Sequence, residues 1–300
     1  MKATISATSD QAFAETGGWR TRPLWSALLR LRRNKVALAC AAFLALMTVA
    51  AIAAPVIVPD DPLAMQPTIR FQGPTLAHPF GTDEFGRDIL SRTIYGARIS
   101  LEVGIISVGI SLVAGTILGV IAAYYGRFID TVISRLMDIL FAFPAILLAI
   151  AMMAVLGANI RNVMLAIGLV NTPIFMRVSR AAALSVRASL YVEAAESVGA
   201  SDWHIMSKHV FPNITAPLIV QSTLAFAWAI IAEAALSFLG LGTQPPTPSW
   251  GIMLSTGRQF MDQSKSEVVF VGAAIVLAVL SLNILGDGLR DVLDPRMKID

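Results

Sequence analysis

The stretch EAAESVGASDWHIMSKHVFP, from Glu193 to Pro212, is polar, has a glycine near its centre and ends on a proline. It lies between two long apolar runs in a chain of 300 residues that is 56% hydrophobic and only 14% charged. Soluble domains usually carry about a quarter charged residues. The composition therefore indicates that most of the chain is solvated by a lipid bilayer and that this polar segment emerges from it.

The polar segment is predicted to form two short helices joined by a sharp turn. Its first half, residues 191–198, favours helix because glutamate and alanine have high helix propensity. Gly199 permits a turn that a side chain would resist. Ser201 or Asp202 can cap a second short helix, and Pro212 is expected to stop that helix. Such an ordered element is more than a connector and suits docking into a cleft on another protein.

Apolar runs on both sides of the segment predict an all-α, polytopic membrane protein with six transmembrane helices. A membrane-crossing helix needs roughly 20 mostly apolar residues. The fourth run is shorter and qualifies if Arg177 and Arg180 extend from its watery end. The six predicted spans are Val36–Pro59, Val103–Gly126, Ile139–Ile160, Asn162–Met176, Val210–Ala232 and Val268–Gly286. The first is expected to be an uncleaved anchor, because it starts too late and lasts too long for a signal peptide.

These spans divide the chain and predict its orientation. With both termini in the cytoplasm, sixteen lysines and arginines lie inside and seven outside, as the positive-inside rule requires. The outer loop should contain a lead-in helix that begins at Thr82. The predicted regions are a cytoplasmic tail (1–35), the first transmembrane helix (36–59), a periplasmic loop with its lead-in helix (60–99), a five-helix core (100–290) that includes the polar segment 187–213, and a second cytoplasmic tail (291–300).

Several residues inside the spans are candidates for a transport pathway. Pro144 and Pro173 should each break local backbone bonding, which makes Asn171 and Pro173 possible pathway-lining residues, although a structural kink explains the prolines equally. Glu233 is expected near the outer boundary, either in the pathway or gate, or as a structural partner of an arginine or a helix end. The glycine pair at 115–119 suits close packing, within the chain or against another subunit.

Motifs for catalysis, nucleotide binding and metal binding are missing from the sequence. It contains no P-loop, no H-E-x-x-H and no G-x-S-x-G, so no catalytic residue is predicted and no cofactor is expected on this chain. His204 and His209 are poorly spaced for a shared metal, and His78 is assigned to the other side. A net charge of +3 is too small to indicate a nucleic-acid surface.

The polar segment resembles the coupling loop of importer-type ABC transporter permeases. The family pattern is E-A-A, three residues, Gly, nine residues, Ile, one residue, Leu-Pro. Five positions match it: Glu193, Ala194, Ala195, Gly199 and Pro212. His209 and Phe211 stand where the pattern has Ile and Leu. The resemblance implies that this loop couples the chain to an ATPase.

Three further stretches indicate which type of importer subunit the chain resembles. HPFGTDEFGRDILSRTIYGARISLEVG, FLGLGTQPPTPSWGIML and GDGLRDVLDPR are similar to the C-type permease subunit of dipeptide, oligopeptide and nickel importers, which has the type I ABC importer permease fold. The resemblance implies peptide import across the bacterial inner membrane.

The resemblance also implies a set of partners: a B-type permease in a heterodimer, two cytoplasmic ATP-binding subunits that carry ATP and Mg, and a periplasmic or lipid-anchored substrate-binding protein. Nickel or another small solute is the alternative cargo. A stand-alone secondary carrier is a different class of function, and it is disfavoured because the spans hold few ionisable groups. A membrane-embedded enzyme is disfavoured by the missing catalytic set.

Overall fold

A computed structural model of the chain describes residues 34–293, which contain helices and no named strand. In chain order the helices are α1 (Lys35–Ile57), α2 (Ile89–Tyr125), α3 (Arg127–Phe141), α4 (Ala145–Leu156), α5 (Ile160–Arg187), α6 (Leu190–Ser197), α7 (Asp202–Ile205), α8 (Phe211–Phe238), α9 (Trp250–Gln259) and α10 (Ser266–Leu293). A 3₁₀ turn at Pro67–Ile69 interrupts the loop before α2, and a π-helical turn at Met206–Val210 joins α7 to α8. The predicted tails lie largely outside the described residues.

Five helical stretches are long and apolar enough to cross a membrane: α1, α2, α5, the continuous stretch Asp202–Phe238, and α10. The pair α3 and α4 passes the same test only jointly, and its two members meet at an angle of 88°. Counting this bent pair as one span gives six, so the predicted all-α polytopic fold is confirmed.

The third predicted span was wrong in shape. Sequence analysis placed one helix over Ile139–Ile160, whereas the structure ends α3 at Phe141 and starts α4 at Ala145. Pro144 lies at the break, as predicted, because proline cannot donate a backbone hydrogen bond and its ring clashes with the preceding turn. Pro173 behaves differently. The helix α5, which is 28 residues long, continues past Pro173. The backbone hydrogen bond that proline cannot make therefore does not end the helix there, as neighbouring helices allow in membranes.

The lead-in helix and the second span form one helix. Asp88, rather than Thr82, caps α2, and its carboxylate accepts a hydrogen bond from the Ser91 backbone N–H at 2.7 Å. Thr82 instead pairs with Asp88 in an isolated β-bridge. The prediction missed this cap because both residue types are good N-caps and only the loop geometry decides between them.

The helices α2 and α5 form the most extensive pair in the structure. Their contact depends on the predicted glycine pair. A Cβ atom at Gly115 would lie 2.5 Å from the Phe175 Cβ, and one at Gly119 would lie 2.5 Å from the Ser179 Oγ. The small residues therefore form a packing face within the chain, one of the two uses that the sequence analysis allowed. The helix α8 packs against α2, α5 and α10, and α1 packs against α2 and α10.

Candidate functional site

The polar segment 187–213, hereafter the bent segment, folds largely as predicted. The helix α6 ends at Ser197, and Gly199 adopts a φ of +81°, a conformation that L residues rarely adopt. No atom lies within 4 Å of a Cβ built at Gly199, so the backbone conformation and not crowding requires glycine there. Ser201 then caps α7, and its Oγ accepts a hydrogen bond from the His204 N–H at 3.4 Å.

Pro212 does not stop the second helix, contrary to the prediction. The helix α7 continues through the π turn Met206–Val210 directly into α8, where Pro212 is the second residue. A π turn is wider than an α-helical turn, and proline is tolerated in the first turn of a helix. The second half of the bent segment is therefore continuous with a membrane span, so displacing it displaces α8.

Three kinds of contact anchor the bent segment to the helices behind it. Val192 and Ile205 are fully buried in an apolar cluster that also contains residues of α2, α5 and α8. The Tyr124 hydroxyl, near the end of α2, donates a hydrogen bond to the Asp202 Oδ1 at 2.9 Å. The Arg187 guanidinium lies 5.1 Å from the centroid of the Tyr124 ring. The segment is thus fixed to the ends of three helices.

The bent segment also exposes large apolar side chains. Leu190 is 83% exposed, Val198 is 85% exposed and Trp203 is 76% exposed. The residues predicted for coupling are not all exposed. Exposed members are Glu193, Ala194, Gly199, Phe211 and Pro212, whereas Ala195 and His209 are half-buried. Sequence reasoning passed over the three exposed apolar residues, although isolated apolar residues in a polar helical segment were the available signal.

Inside the helix bundle, Asn171 and Pro173 are both buried on α5. Asn171 is only 4% exposed, and its Nδ2 has no hydrogen-bond partner among the described residues. It lines a cavity of about 260 Å³ together with Gln221 and Trp228 of α8. The Asn171 side chain therefore faces a space, whereas Pro173 does not line it. Their roles in a pathway stay predictions.

Glu233 is fully buried near the end of α8. The Ser237 hydroxyl donates a hydrogen bond to its Oε1 at 2.7 Å, and hydroxyl groups of Ser100, Thr243 and Ser249 surround the carboxyl group. A hydroxyl is therefore its partner, rather than the arginine or helix end that the sequence analysis considered. Because the surrounding groups come from α2, α8 and the connection to α9, this residue joins three parts of the bundle. Its predicted part in a pathway or gate is untested.

Comparison with known families agrees with this arrangement. The family model described as "Binding-protein-dependent transport system inner membrane component" matches residues 115–299. The chain belongs to this family of inner-membrane permeases. A second model, "N-terminal TM domain of oligopeptide transport permease C", matches residues 22–74 of the permease.

Curated relatives resemble the permease over nearly its whole length. It is 48% identical to the dipeptide transport system permease protein DppC of Alkalihalophilus pseudofirmus, over 92% of this chain and 91% of that protein. It is 44% identical to the di/tripeptide transport system permease protein DppC of Pseudomonas aeruginosa, over 88% and 89%. It is 45% identical to the glutathione transport system permease protein GsiD of Escherichia coli, over 90% and 89%.

A solved structure shares the fold. A chain of the MetNI methionine ABC transporter, in an inward-facing conformation, superposes with a TM-score of 0.56 at 19% identity. The match covers 68% of the permease and 97% of that chain. At this identity the likeness shows the fold alone, which is that of an ABC importer permease as the sequence analysis predicted.

Ion pairs join α3, the first helix of the α3–α4 pair, to α5 of the permease. Arg180 contacts Asp130 through two nitrogens at 2.5 Å each. Arg177 contacts Asp138 at 2.8 Å. Both arginines therefore find acidic partners on α3, at the end of α5 that was predicted to be watery.

At the end of the bundle opposite the bent segment, buried charged side chains hold the loop before α2 in place. Arg87 contacts Asp83 at 2.6 Å and Glu84 at 2.9 Å, and Arg92 lies 3.4 Å from Asp83. Burial, and then the neighbouring Asp83 carboxylate, raise the pKa of Glu84. Carboxylate oxygens of Asp83, Glu84 and Glu267 lie within 4.8 Å of one another, and Arg87 and Arg92 bring positive charge beside them.

A second cluster in the same loop places His78 between two carboxylates. The His78 Nδ1 lies 3.1 Å from Asp88 and 3.6 Å from Asp60. The Asp88 carboxylate also caps α2 through its other oxygen. These contacts tie the loop to the start of α2.

Proposed function

We propose that this permease is the C-type subunit of an ATP-driven importer of di- or oligopeptides in the bacterial inner membrane. In this proposal it forms the pathway with a B-type permease. Two cytoplasmic subunits bind and hydrolyse ATP, and an external binding protein delivers the cargo. The peptide cargo is supported by relatives that are named as dipeptide, di/tripeptide and glutathione permeases at 44–48% identity.

The observation that carries the proposal is the construction of the bent segment. It exposes Leu190, Val198 and Trp203, whereas Val192, Ile205 and Asp202 pack against or hydrogen-bond to the membrane helices behind it. Exposed apolar patches mark interaction sites. A partner that docks there and moves would pull α8 directly, because α7 and α8 are continuous.

Coupling requires more than docking. A ligand shifts a conformational equilibrium only if it interacts differently with the two conformations. We propose that the ATP-binding subunits contact the bent segment differently in their ATP-bound and ATP-free forms. The permease itself contains no P-loop, so the energy for transport comes from those subunits.

The test is reconstitution in lipid vesicles. We expect the complete assembly, with ATP inside the vesicles and the binding protein with a dipeptide outside, to accumulate the dipeptide. The matched control is the permease alone in the same lipid, which should transport nothing. Rapid uptake by the permease alone, without nucleotide, would contradict the proposal and favour a secondary carrier.

A further inference from the structure

A groove of about 560 Å³ opens between α1 and α2. Its lining is mostly apolar and includes Leu44, Met47 and Ile52 of α1, Leu101 and Ile105 of α2, and Phe226 of α8. Ile52 is 71% exposed and Ile105 is 64% exposed, so the groove opens on the flank of the bundle. A molecule that fills it must therefore be largely apolar.

Two charged side chains line the same groove. Arg98 and Glu102 lie one turn apart on α2, and both are exposed. They stand in the less favourable order for a pair on one helix, with the base before the acid, and neither forms an ion pair with any residue in 34–293. The Arg98 guanidinium lies 5.7 Å from the centroid of the Tyr95 ring, a contact that occupies none of its N–H groups. Both charges are therefore available to a bound molecule.

The charged pair lies at the level of the lipid head groups. Residues 102 and 125 of α2 are separated by about 35 Å along the helix, and the hydrocarbon core of a bilayer is about 30 Å thick. With Tyr125 near one boundary of that core, Glu102 and Arg98 lie just beyond the other boundary. Ile105 lies on the hydrocarbon side of them. The groove thus has a charged mouth among the head groups and an apolar floor among the acyl chains.

We propose that this groove binds a zwitterionic phospholipid with a primary amine, phosphatidylethanolamine, in the leaflet opposite the bent segment. The Arg98 guanidinium donates hydrogen bonds to the phosphate oxygens, for which its planar fork is suited. The Glu102 carboxylate accepts a hydrogen bond from the ammonium group. Only two carbons and the ester oxygen separate phosphorus from nitrogen in this head group, so one molecule reaches both side chains. One acyl chain lies along the apolar floor.

The charges of the groove distinguish this lipid from other occupants. Phosphatidylglycerol has the phosphate but brings no cation to Glu102. Phosphatidylcholine has both charges, but its quaternary ammonium has no N–H to donate. A helix of another membrane protein could cover the apolar floor, but it would have to present an acid to Arg98 and a base to Glu102 at the same depth.

The first experiment measures the binding of single lipids to the delipidated full-length permease by native mass spectrometry. We expect palmitoyl-oleoyl-phosphatidylethanolamine to bind about tenfold more tightly than the matching phosphatidylcholine, the ratio that one charge-assisted hydrogen bond supports. Glu102→Gln should remove this preference, because the neutral amide attracts the ammonium only weakly. Arg98→Gln should weaken both lipids by about tenfold and keep the preference, since both lipids carry the phosphate.

The matched controls are Arg161→Gln and Asp262→Asn. Both residues are exposed charges at the same end of the bundle, and neither lines the groove, so both variants should bind the lipids as the wild type does. Equal binding of the two lipids by the wild type, or a preference that survives Glu102→Gln, would overturn the site. Losses of the same size in the controls would mean that surface charge in general attracts lipid, and would overturn it too.

The second experiment locates the lipid in a bilayer. Phosphatidylethanolamine with a diazirine in its acyl chain should crosslink chiefly to residues 44–52 and 101–106, and excess unlabelled phosphatidylethanolamine should suppress this labelling more than phosphatidylcholine does. Even labelling of all lipid-facing helices would show ordinary solvation and overturn the site. Labelling of the groove in vesicles of the permease that is absent in native membranes would mean that another protein fills the groove, which also overturns it.

Discussion

At the scale of single residues, Tyr124 is the polar link between α2 and the bent segment. We predict that Tyr124→Phe, which removes the hydrogen bond to Asp202, weakens coupling while the assembly still forms. Losing one hydrogen bond costs about 1 kcal/mol, so the segment should separate from α2 about five times more readily. In vesicles the ratio of ATP hydrolysed to peptide transported should therefore rise.

The control for that prediction is the next residue. The Tyr125 hydroxyl makes no hydrogen bond within residues 34–293, and its ring is 46% exposed, so Tyr125→Phe should leave the ratio unchanged. Asp202→Asn keeps an acceptor for the Tyr124 hydroxyl and should act more mildly than Tyr124→Phe. A wild-type ratio in Tyr124→Phe would show that apolar packing alone holds the segment.

Local chemistry was enough to predict the conformation of some residues but not of others. Gly199 and the Ser201 cap were predictable because each depends on a few neighbouring backbone atoms. The continuation of the helix through Pro212 was not predictable, because a π turn before it accommodates the proline and no residue preference indicates such a turn. The unpartnered amide of Asn171 could be suspected only from its depth in an apolar run. The cavity beside it depends on helices distant in sequence.

At the scale of elements, the packing of α2 on α5 sets the frame of the permease. We predict that Gly115→Ala destabilises it by about 1–3 kcal/mol, the usual cost of overpacking. The added Cβ would lie 2.5 Å from the Phe175 Cβ and 2.8 Å from backbone atoms of Thr172 and Met176, all on α5. Thermal unfolding in detergent would show this as a lower midpoint.

The matched control is Gly109, which lies on α2 like Gly115. A Cβ at Gly109 meets nothing within 4 Å, so Gly109→Ala should be neutral, or stabilising by about 0.5–1 kcal/mol through better helix propensity. Equal shifts in the two variants would mean that close packing is not why glycine occupies position 115.

Length and hydropathy predicted the elements well but not their shapes. The spans at α1, α2, α8 and α10 follow from uncharged runs long enough to cross a bilayer, and the span at α5 follows from a shorter run that Arg177 and Arg180 extend. The bend between α3 and α4 was signalled by Pro144, yet Pro173 carries the same signal inside a continuous helix. The difference lies in the surroundings: Pro173 is buried in the bundle, and Pro144 lies at an exposed break.

At the scale of the whole molecule, the proposed mechanism depends on which end of the bundle faces the cytoplasm. The bent segment and the loop before α2 lie at opposite ends, because α2 runs from one to the other. The orientation that the sequence favours assigns sixteen of the 23 lysines and arginines to the side of the membrane on which the bent segment lies. Positive charge is retained on the cytoplasmic side, so the bent segment should be cytoplasmic.

Fusions to alkaline phosphatase, which is active only outside the cytoplasm, test this orientation. We predict that a fusion after Lys208, in the bent segment, is inactive, and that a fusion after Ser264, in the turn before α10, is active. Each fusion is its partner's control for expression, because a single span, the one that contains α8, separates the two sites. The reverse pattern of activity would place Leu190, Val198 and Trp203 outside the cell, where no ATP-binding subunit can reach them, and would rule out coupling through the bent segment.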